Sequence, residues 1–81
     1  MLLDSGLTEE LIAQAQRGRA QEQAQVGDLH LARLGRYVIC FRLDPPRADY
    51  SFYPDVWRAT AAFAETLAQI QQGDLPVLFQ P

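Results

Sequence analysis

Residues 37–43 read YVICFRL and carry the strongest β-strand signal in the chain. Most of this segment consists of aromatic and β-branched residues, which are enriched in strands. Successive side chains of a strand point to opposite faces of a sheet, and here both sets are largely apolar, with Arg42 as the polar exception. A strand that is apolar on both faces is typical of the centre of a sheet, so we predict a central strand.

A second strand is predicted over residues 28–34, immediately before the first. Leu29 and Leu31 alternate with smaller or polar residues, which is the two-residue period of a strand. A turn at residues 34–36 would join the two strands. The competing interpretation keeps residues 28–34 helical, with Gly35 as the residue that ends the helix.

After residue 43 the chain is predicted to form a loop and a short third strand. Pro45 and Pro46 are consecutive prolines, which cannot donate to a strand ladder, so residues 44–49 are predicted to be a loop. The aromatic residues that follow predict a third strand over residues 50–53. The apolar residues 76–79 are a candidate for a short C-terminal edge strand.

A helix is predicted on each side of these strands along the chain. The first would run from Thr8, its capping residue, to about residue 25. Its apolar stripe fades in the second half, where Gly18 would cost about 1 kcal/mol relative to alanine. The second helix would begin at Pro54, because proline suits the first helical position, and would end at Gly73.

The second helix carries two apolar rows. The row predicted to face the core consists of Val56, Phe63, Leu67 and Ile70. The row beside it, at spacings of four, three and four residues, consists of Trp57, Ala61, Ala64 and Ala68. Alanine side chains would let another backbone approach closely, so the second row is a candidate contact surface.

These elements predict an α+β fold, with an N-terminal helix, a two- or three-stranded antiparallel sheet and an amphipathic C-terminal helix. With 81 residues we expect a single small domain. A chain of this length buries roughly 60–65% of the surface that its unfolded form exposes, so its core is thin. Any large apolar face left uncovered would favour dimerisation or the binding of a partner.

The charged residues narrow the classes of function. All seven basic residues are arginines, and the formal net charge is −3. A negative balance argues against a general nucleic-acid binder, which neutralises phosphates with lysine and arginine. The absence of both lysine and asparagine is typical of a GC-rich genome and indicates nothing about mechanism.

The sequence offers little for catalysis or metal binding. Without lysine there is no Schiff base, and one histidine with one cysteine cannot form a closed structural zinc site. His30 is predicted to be a solvated strand residue, and Cys40 a buried thiol that acts as a small hydrophobe. Asp44, Asp49 and Asp55 are predicted to serve turns and a helix cap. We therefore expect no enzyme activity, metal or cofactor.

Two groups of side chains are candidates for binding. An aromatic group is expected to be divided between the core and a partner surface, where aromatic residues are common anchors. Its members are Tyr50, Phe52, Tyr53 and Trp57. A second group could form a basic patch at the hairpin and its loop, for contact with an anion or a nucleic acid. Its members are Arg33, Arg36, Arg42 and Arg47.

The sequence is compatible with three functions. The leading hypothesis is a small non-enzymatic protein-interaction module, a regulator, adaptor or inhibitor of a larger bacterial or phage assembly. A homodimer is its expected state, formed through the sheet edge, the first helix or the alanine row of the second helix. The alternative is a nucleic-acid-binding module, because some small DNA-binding domains lay strands into the major groove. The third is an enzyme or ligand carrier whose site forms between subunits, where two copies of His30 or Cys40 could meet.

The cytoplasm is the expected location. The N-terminal residues lack the basic region and the continuous apolar stretch of a secretion signal. No apolar run approaches the length of a membrane span, so we expect no membrane association.

Overall fold

The computed structural model describes residues 3–44 and 46–80. It confirms the predicted α+β fold and shows four strands where two or three were expected. The helices are α1 (Leu3–Gln16) and α2 (Val56–Gln71), and a short 3-10 turn follows at Val77–Phe79. The strands are β1 (Glu22–Val26), β2 (Leu29–Leu34), β3 (Tyr37–Leu43) and β4 (Pro46–Phe52).

The strands form one antiparallel sheet in the order β1-β2-β3-β4, so each strand pairs with its neighbour in the chain. Val26 pairs with Leu29 and Leu34 pairs with Tyr37, which leaves two-residue loops between these strands. Glycine stands first in both loops and has a positive φ there, as type II′ hairpin turns require. The strand prediction for residues 28–34 is therefore confirmed, and the helical alternative is wrong.

One helix covers each face of the sheet. On one face, side chains of β2 and β3 pack with α2 and the 3-10 turn in a single cluster. Its buried members are Leu29, Leu31, Val38, Cys40, Ala59, Phe63, Ile70 and Phe79. On the other face, the alternate side chains pack with α1. The buried members there are Leu11, Ala15, Ala32, Leu34, Ile39 and Phe41. The central strand β3 is apolar on both faces because each face packs against a helix.

The first helix is shorter than predicted and begins earlier. It ends at Gln16, because Gly18 adopts a φ of +75°, which a helix interior does not allow. The N–H of Gly18 donates to the carbonyl of Ala15, and the N–H of Arg19 donates to the carbonyl of Gln14, each at 3.0 Å. These two bonds form a Schellman motif, so this glycine terminates the helix.

The capping role predicted for Thr8 is also wrong, since Thr8 lies inside α1. The residues predicted to form the second half of the helix include strand β1, whose side chains alternate between half-buried and exposed. Ala24 and Val26 pack against the α2 cluster, whereas Gln23 and Gln25 are exposed. This two-residue alternation was present in the sequence, although glutamine and alanine individually favour helices.

The predicted loop at residues 44–49 is wrong for most of its length, because β4 begins at Pro46. Pro46 pairs with Leu43 as the first residue of an edge strand, a position where a missing N–H is tolerated. The predicted C-terminal edge strand is also wrong. The chain makes a 3-10 turn there, and Phe79 packs into the α2 cluster.

The second helix lies close to its predicted bounds, but it is rotated about its axis. Asp55 caps it, with Oδ1 accepting from the N–H of Arg58 at 2.8 Å. The buried residues of α2 are Ala59, Phe63 and Ile70. Val56, which was predicted to face the core, is 49% exposed. The core row therefore passes through Ala59 instead of Val56.

Two glycine substitutions on α1 test how the helix ends. Gly18→Ala should lower the free energy of unfolding by about 1–2 kcal/mol, because an L-residue is strained at positive φ. Gly6→Ala should raise it by about 0.5–1 kcal/mol, because Gly6 lies within the helix and nothing would contact the added Cβ. Urea unfolding followed by circular dichroism measures both. Equal effects of the two substitutions would contradict the Schellman ending.

Candidate functional site

The side of α2 that points away from the sheet carries an apolar row. The buried residues of α2 face the sheet, and at roughly 100° per residue the opposite side of the helix falls on the second predicted row. All four of its members are exposed, and we call this surface the α2 outer face. It consists of Trp57, Ala61, Ala64 and Ala68.

A helix with one face buried in the core usually carries polar residues on the other. Polar residues on α2 instead flank the outer face, with Arg58 and Glu65 along one edge and Thr60 along the other. Trp57 is 84% exposed, which is unusual for the largest side chain of the chain. Tryptophan is among the residues most often found as interface anchors, so this face is a candidate contact surface.

The structure separates the four aromatic residues predicted to bind a partner. Tyr50 is half-buried and meets Tyr37 edge-on in the α1 cluster, with 6.0 Å between ring centroids. Tyr53 is half-buried against the α2 cluster. Phe52 and Trp57 are the exposed members, but Phe52 lies on the α1 side of the sheet and Trp57 on the outside of α2. These residues do not form one aromatic patch.

Phe52 is held by neighbours on its own side of the sheet. Its ring centroid lies 4.8 Å from that of Tyr37, and the guanidinium of Arg36 lies 4.7 Å from it. The same guanidinium donates from Nη1 to the carbonyl of Pro54 at 3.1 Å. Phe52 therefore serves in part to fix the β4–α2 connection, whereas no ring or cation contact is found for Trp57 among the described residues.

The four arginines predicted to form a basic patch lie at two ends of the sheet. Arg33 and Arg36 lie by the β2–β3 turn, whereas Arg42 and Arg47 pair directly across β3 and β4 at the opposite end. Arg33 is 9% exposed, and its Nε donates to Oε2 of Glu22 at 2.5 Å. Its Nη1 donates to the carbonyl of Gly35 at 2.8 Å, so its charge is used within the fold.

Arg42 and Arg47 point to the same side of the sheet because they are cross-strand partners. Like charges directly opposite each other destabilise a sheet. The guanidinium of Arg42 lies 5.8 Å from the ring centroid of Phe79. Its buried Nε has no hydrogen-bond partner in the described part of the chain.

A hollow of about 300 Å³ lies between β4, the second half of α2 and the C-terminal segment. This volume is at the lower end of the range for ligand pockets. Its polar lining includes Asp49, Ser51, Thr66, Gln69 and Asp74, and the described residues that line it include no basic side chain. Across residues 3–44 and 46–80, no group of three His, Cys, Asp or Glu side chains could hold a metal ion.

Cys40 is buried, as predicted, and borders this hollow. Burial, which would strip the thiolate of its hydration, and to a lesser degree the charge of Asp49 together raise the pKa of its thiol to about 12. Asp49 is the cross-strand partner of Cys40. The thiol is therefore protonated near neutral pH and is a poor nucleophile.

His30 is less solvated than predicted, because it is half-buried on the α1 side of the sheet. Its ring stacks on that of Phe41, with 4.9 Å between centroids and 10° between planes. Cys40 points to the α2 side, so the histidine and the cysteine of one chain lie on opposite faces of the sheet.

Comparisons with known protein families, with curated proteins and with solved structures found no match to this chain. Within the described residues, no helix is both long and apolar enough to cross a membrane. The candidate surfaces therefore rest on the geometry of the chain itself.

The protonated state of Cys40 predicts slow alkylation. Iodoacetamide near pH 8 should leave Cys40 unmodified in the folded protein and modify it rapidly in urea, which mass spectrometry distinguishes. The thiol pKa is about 12 in the folded state and 9.0 without the fold. The protonated thiol therefore contributes its full share to the free energy of unfolding below about pH 9. That contribution is lost as the pH rises towards 12.

The matched control for this titration is Cys40→Ala, which removes the thiol. Its free energy of unfolding should fall less between pH 9 and pH 12 than that of the wild type. Identical pH dependences, or rapid alkylation of the folded protein, would show that the thiol is not protected by burial.

Proposed function

We propose that this chain is a small non-enzymatic protein-interaction module, a regulator, adaptor or inhibitor of a larger assembly, and that its docking surface is the α2 outer face. The observation that carries the proposal is the 84% exposure of Trp57 at the head of an exposed alanine row. The helix that bears this row has already buried its opposite side against the sheet. We place the module in the cytoplasm, where a single unpaired thiol remains reduced.

The energy available from covering Trp57 is large. Burying an aromatic side chain removes about 150–250 Å² from water. At about 25 cal/mol per Å², covering the 84% of Trp57 that is exposed would contribute about 3–5 kcal/mol before the entropic cost of association. The alanines add little area, but they allow another helix to approach to about 8 Å between axes. One aromatic anchor beside a closely packed row is the kind of surface that binds a helix.

The chemistry of the two most reactive side chains supports a binding function. Cys40 is buried and its pKa is raised, so the thiol lacks the activation that a nucleophile requires. His30, stacked on Phe41, lies on the other face of the sheet and cannot act as its base within one chain.

Affinity capture tests the docking surface. The tagged chain is used as bait in an extract of its native cells, beside Trp57→Ala, Ala64→Glu and the control Gln23→Glu. Gln23 is exposed on β1, so the control adds the same charge far from the α2 outer face. Truncating an interface anchor typically costs about 2 kcal/mol, so Trp57→Ala should reduce retention of a specific partner about thirtyfold.

Partners that Gln23→Glu retains and that both α2 variants lose would support the proposal. Urea unfolding of the four proteins should give similar free energies, because the substituted residues are exposed. If the wild type and the α2 variants retain the same proteins, or if the wild type retains none, the α2 outer face is not a docking surface for a different protein.

A second function, contact with a polyanion such as nucleic acid, is favoured by the cross-strand pair Arg42 and Arg47. The two arginines are cross-strand partners on one side of the sheet, and the Nε of Arg42 is unsatisfied, on a chain whose formal charge is −3. Arg33 is excluded from this role because its charge is paired with Glu22.

Fluorescence anisotropy with a labelled DNA duplex tests this second function. At low salt, Arg42→Gln and Arg47→Gln should each weaken binding and reduce the salt slope of the binding constant by about 1. Arg17→Gln, which removes an exposed arginine just after α1, should leave binding unchanged. Absence of binding by the wild type at low salt, or an equal loss in all three variants, would overturn it.

A further inference from the structure

We infer that the occupant of the α2 outer face is a second copy of this chain, whose own α2 packs antiparallel to the first about a two-fold axis. The inference rests on the proposed function, because it names the partner of the same surface. The spacing of the row and the charges beside it favour this arrangement, and the area of the face sets how strongly the two copies bind.

The spacing of the row suits the packing of two identical helices. Steps of four, three and four residues are those of the seam of a coiled coil. In an antiparallel pair centred on the row, Trp57 meets the partner's Ala68, and Ala61 meets the partner's Ala64. The largest side chain thus lies over the smallest at both ends, and small side chains meet in the middle. A parallel pair would instead place two tryptophans against each other.

The charges beside the row are complementary in the same arrangement. Arg58 and Glu65 are exposed along one edge of the row, seven residues or two helical turns apart. In an antiparallel pair the same edges of the two helices face each other, so Arg58 meets the partner's Glu65, and the reciprocal pair forms. Thr60 and Gln71 on the other edge are uncharged, so no repulsion opposes this register.

Arg58 is available for such a contact. Within the chain its Nε lies 3.8 Å from Oδ2 of Asp55, and the side chains of Arg58 and Asp55 are 69% and 43% exposed. An exposed pair at this distance contributes little, because water and salt screen it. An acidic partner across an interface, where water is partly excluded, would bind the guanidinium more strongly.

The area of the face sets the strength of the dimer. The 16 residues of α2 span about 24 Å, and a strip one helix wide, about 12 Å, covers about 300 Å² per copy. The total of about 600 Å² is below the roughly 1,200 Å² of a stable specific interface. The dimer should therefore be reversible, with half-association between about 10 μM and about 1 mM.

Sedimentation equilibrium of the full chain over that concentration range measures the association. The wild type and Gln23→Glu should show the same rise from monomer to dimer mass. Ala64→Glu should remain monomeric, because it places two carboxylates close to the two-fold axis. Arg58→Glu should weaken the dimer about tenfold, and the double variant Arg58→Glu, Glu65→Arg should restore it because the edge charges are again opposite.

Engineered cysteines test the direction of the helices. Native Cys40 is buried and protonated, so an added cysteine on α2 is the reactive thiol. A mixture of Ala61→Cys and Ala64→Cys chains under mild oxidation should form a mixed disulfide. Ala68→Cys alone should form none with itself, because an antiparallel pair separates the two positions by about 16 Å, beyond disulfide reach. A parallel pair would join them readily.

Each outcome bears on a separate claim. A strictly monomeric wild type without the mixed disulfide overturns the second-copy inference, and self-crosslinking of Ala68→Cys overturns the antiparallel direction. If the chain is monomeric but capture still depends on Trp57, the proposed function stands with a different protein as the occupant. If capture is also independent of Trp57, both proposals are wrong.

Discussion

The burial of β3 on both faces is the constraint on which the rest of the structure depends. Ile39 and Phe41 point to one side of the sheet and Val38 and Cys40 to the other, and all four are buried. Each face must therefore be covered, and the chain has one long helix for each. Neither helix is left to cover the other, which is why the outside of α2 meets solvent or a partner.

Local signals were sufficient for about half of the fold. The bounds of β3 were predicted because most of its residues are aromatic or β-branched and both of its faces are largely apolar. Those of α2 were predicted because a cap and a terminating glycine lie at the two ends of a periodic sequence. The error between α1 and β1 has a different origin. Residues 20–25 are rich in glutamine and alanine, which favour helix locally, but β1 is stabilised by cross-strand pairing with β2, which the propensity of single residues does not indicate.

The Arg33–Glu22 contact shows this cross-strand stabilisation directly. The two residues are cross-strand partners, and the ion pair compensates the charge of an arginine that is otherwise buried. Nothing near Glu22 in the sequence indicates this partner. The pairing of Arg42 with Arg47 likewise depends on the register between β3 and β4. The positions of the arginines in the sequence therefore could not show that the four of them lie at two ends of the sheet.

The α2 outer face was predicted as a contact surface, but the rotation of the helix that carries it was not. The row from Trp57 to Ala68 follows from spacing alone. Which of two adjacent rows faces the sheet depends on the rotation of α2, and a rotation that buries Ala59 exposes both Val56 and Trp57. A small residue such as Ala59 at the closest approach of helix and sheet carries almost no hydrophobic signal, and this is why sequence reasoning missed it.

The order of the strands has a consequence for the kinetics of folding. Every strand pairs with its immediate neighbour, and the first two connections are two residues long, so the contact order of the sheet is low. Closing such short loops requires little loss of chain entropy, and topologies dominated by local pairing fold faster than those that pair distant strands. The sheet can form one hairpin at a time. The slowest remaining step of folding is then the docking of the two helices on opposite faces.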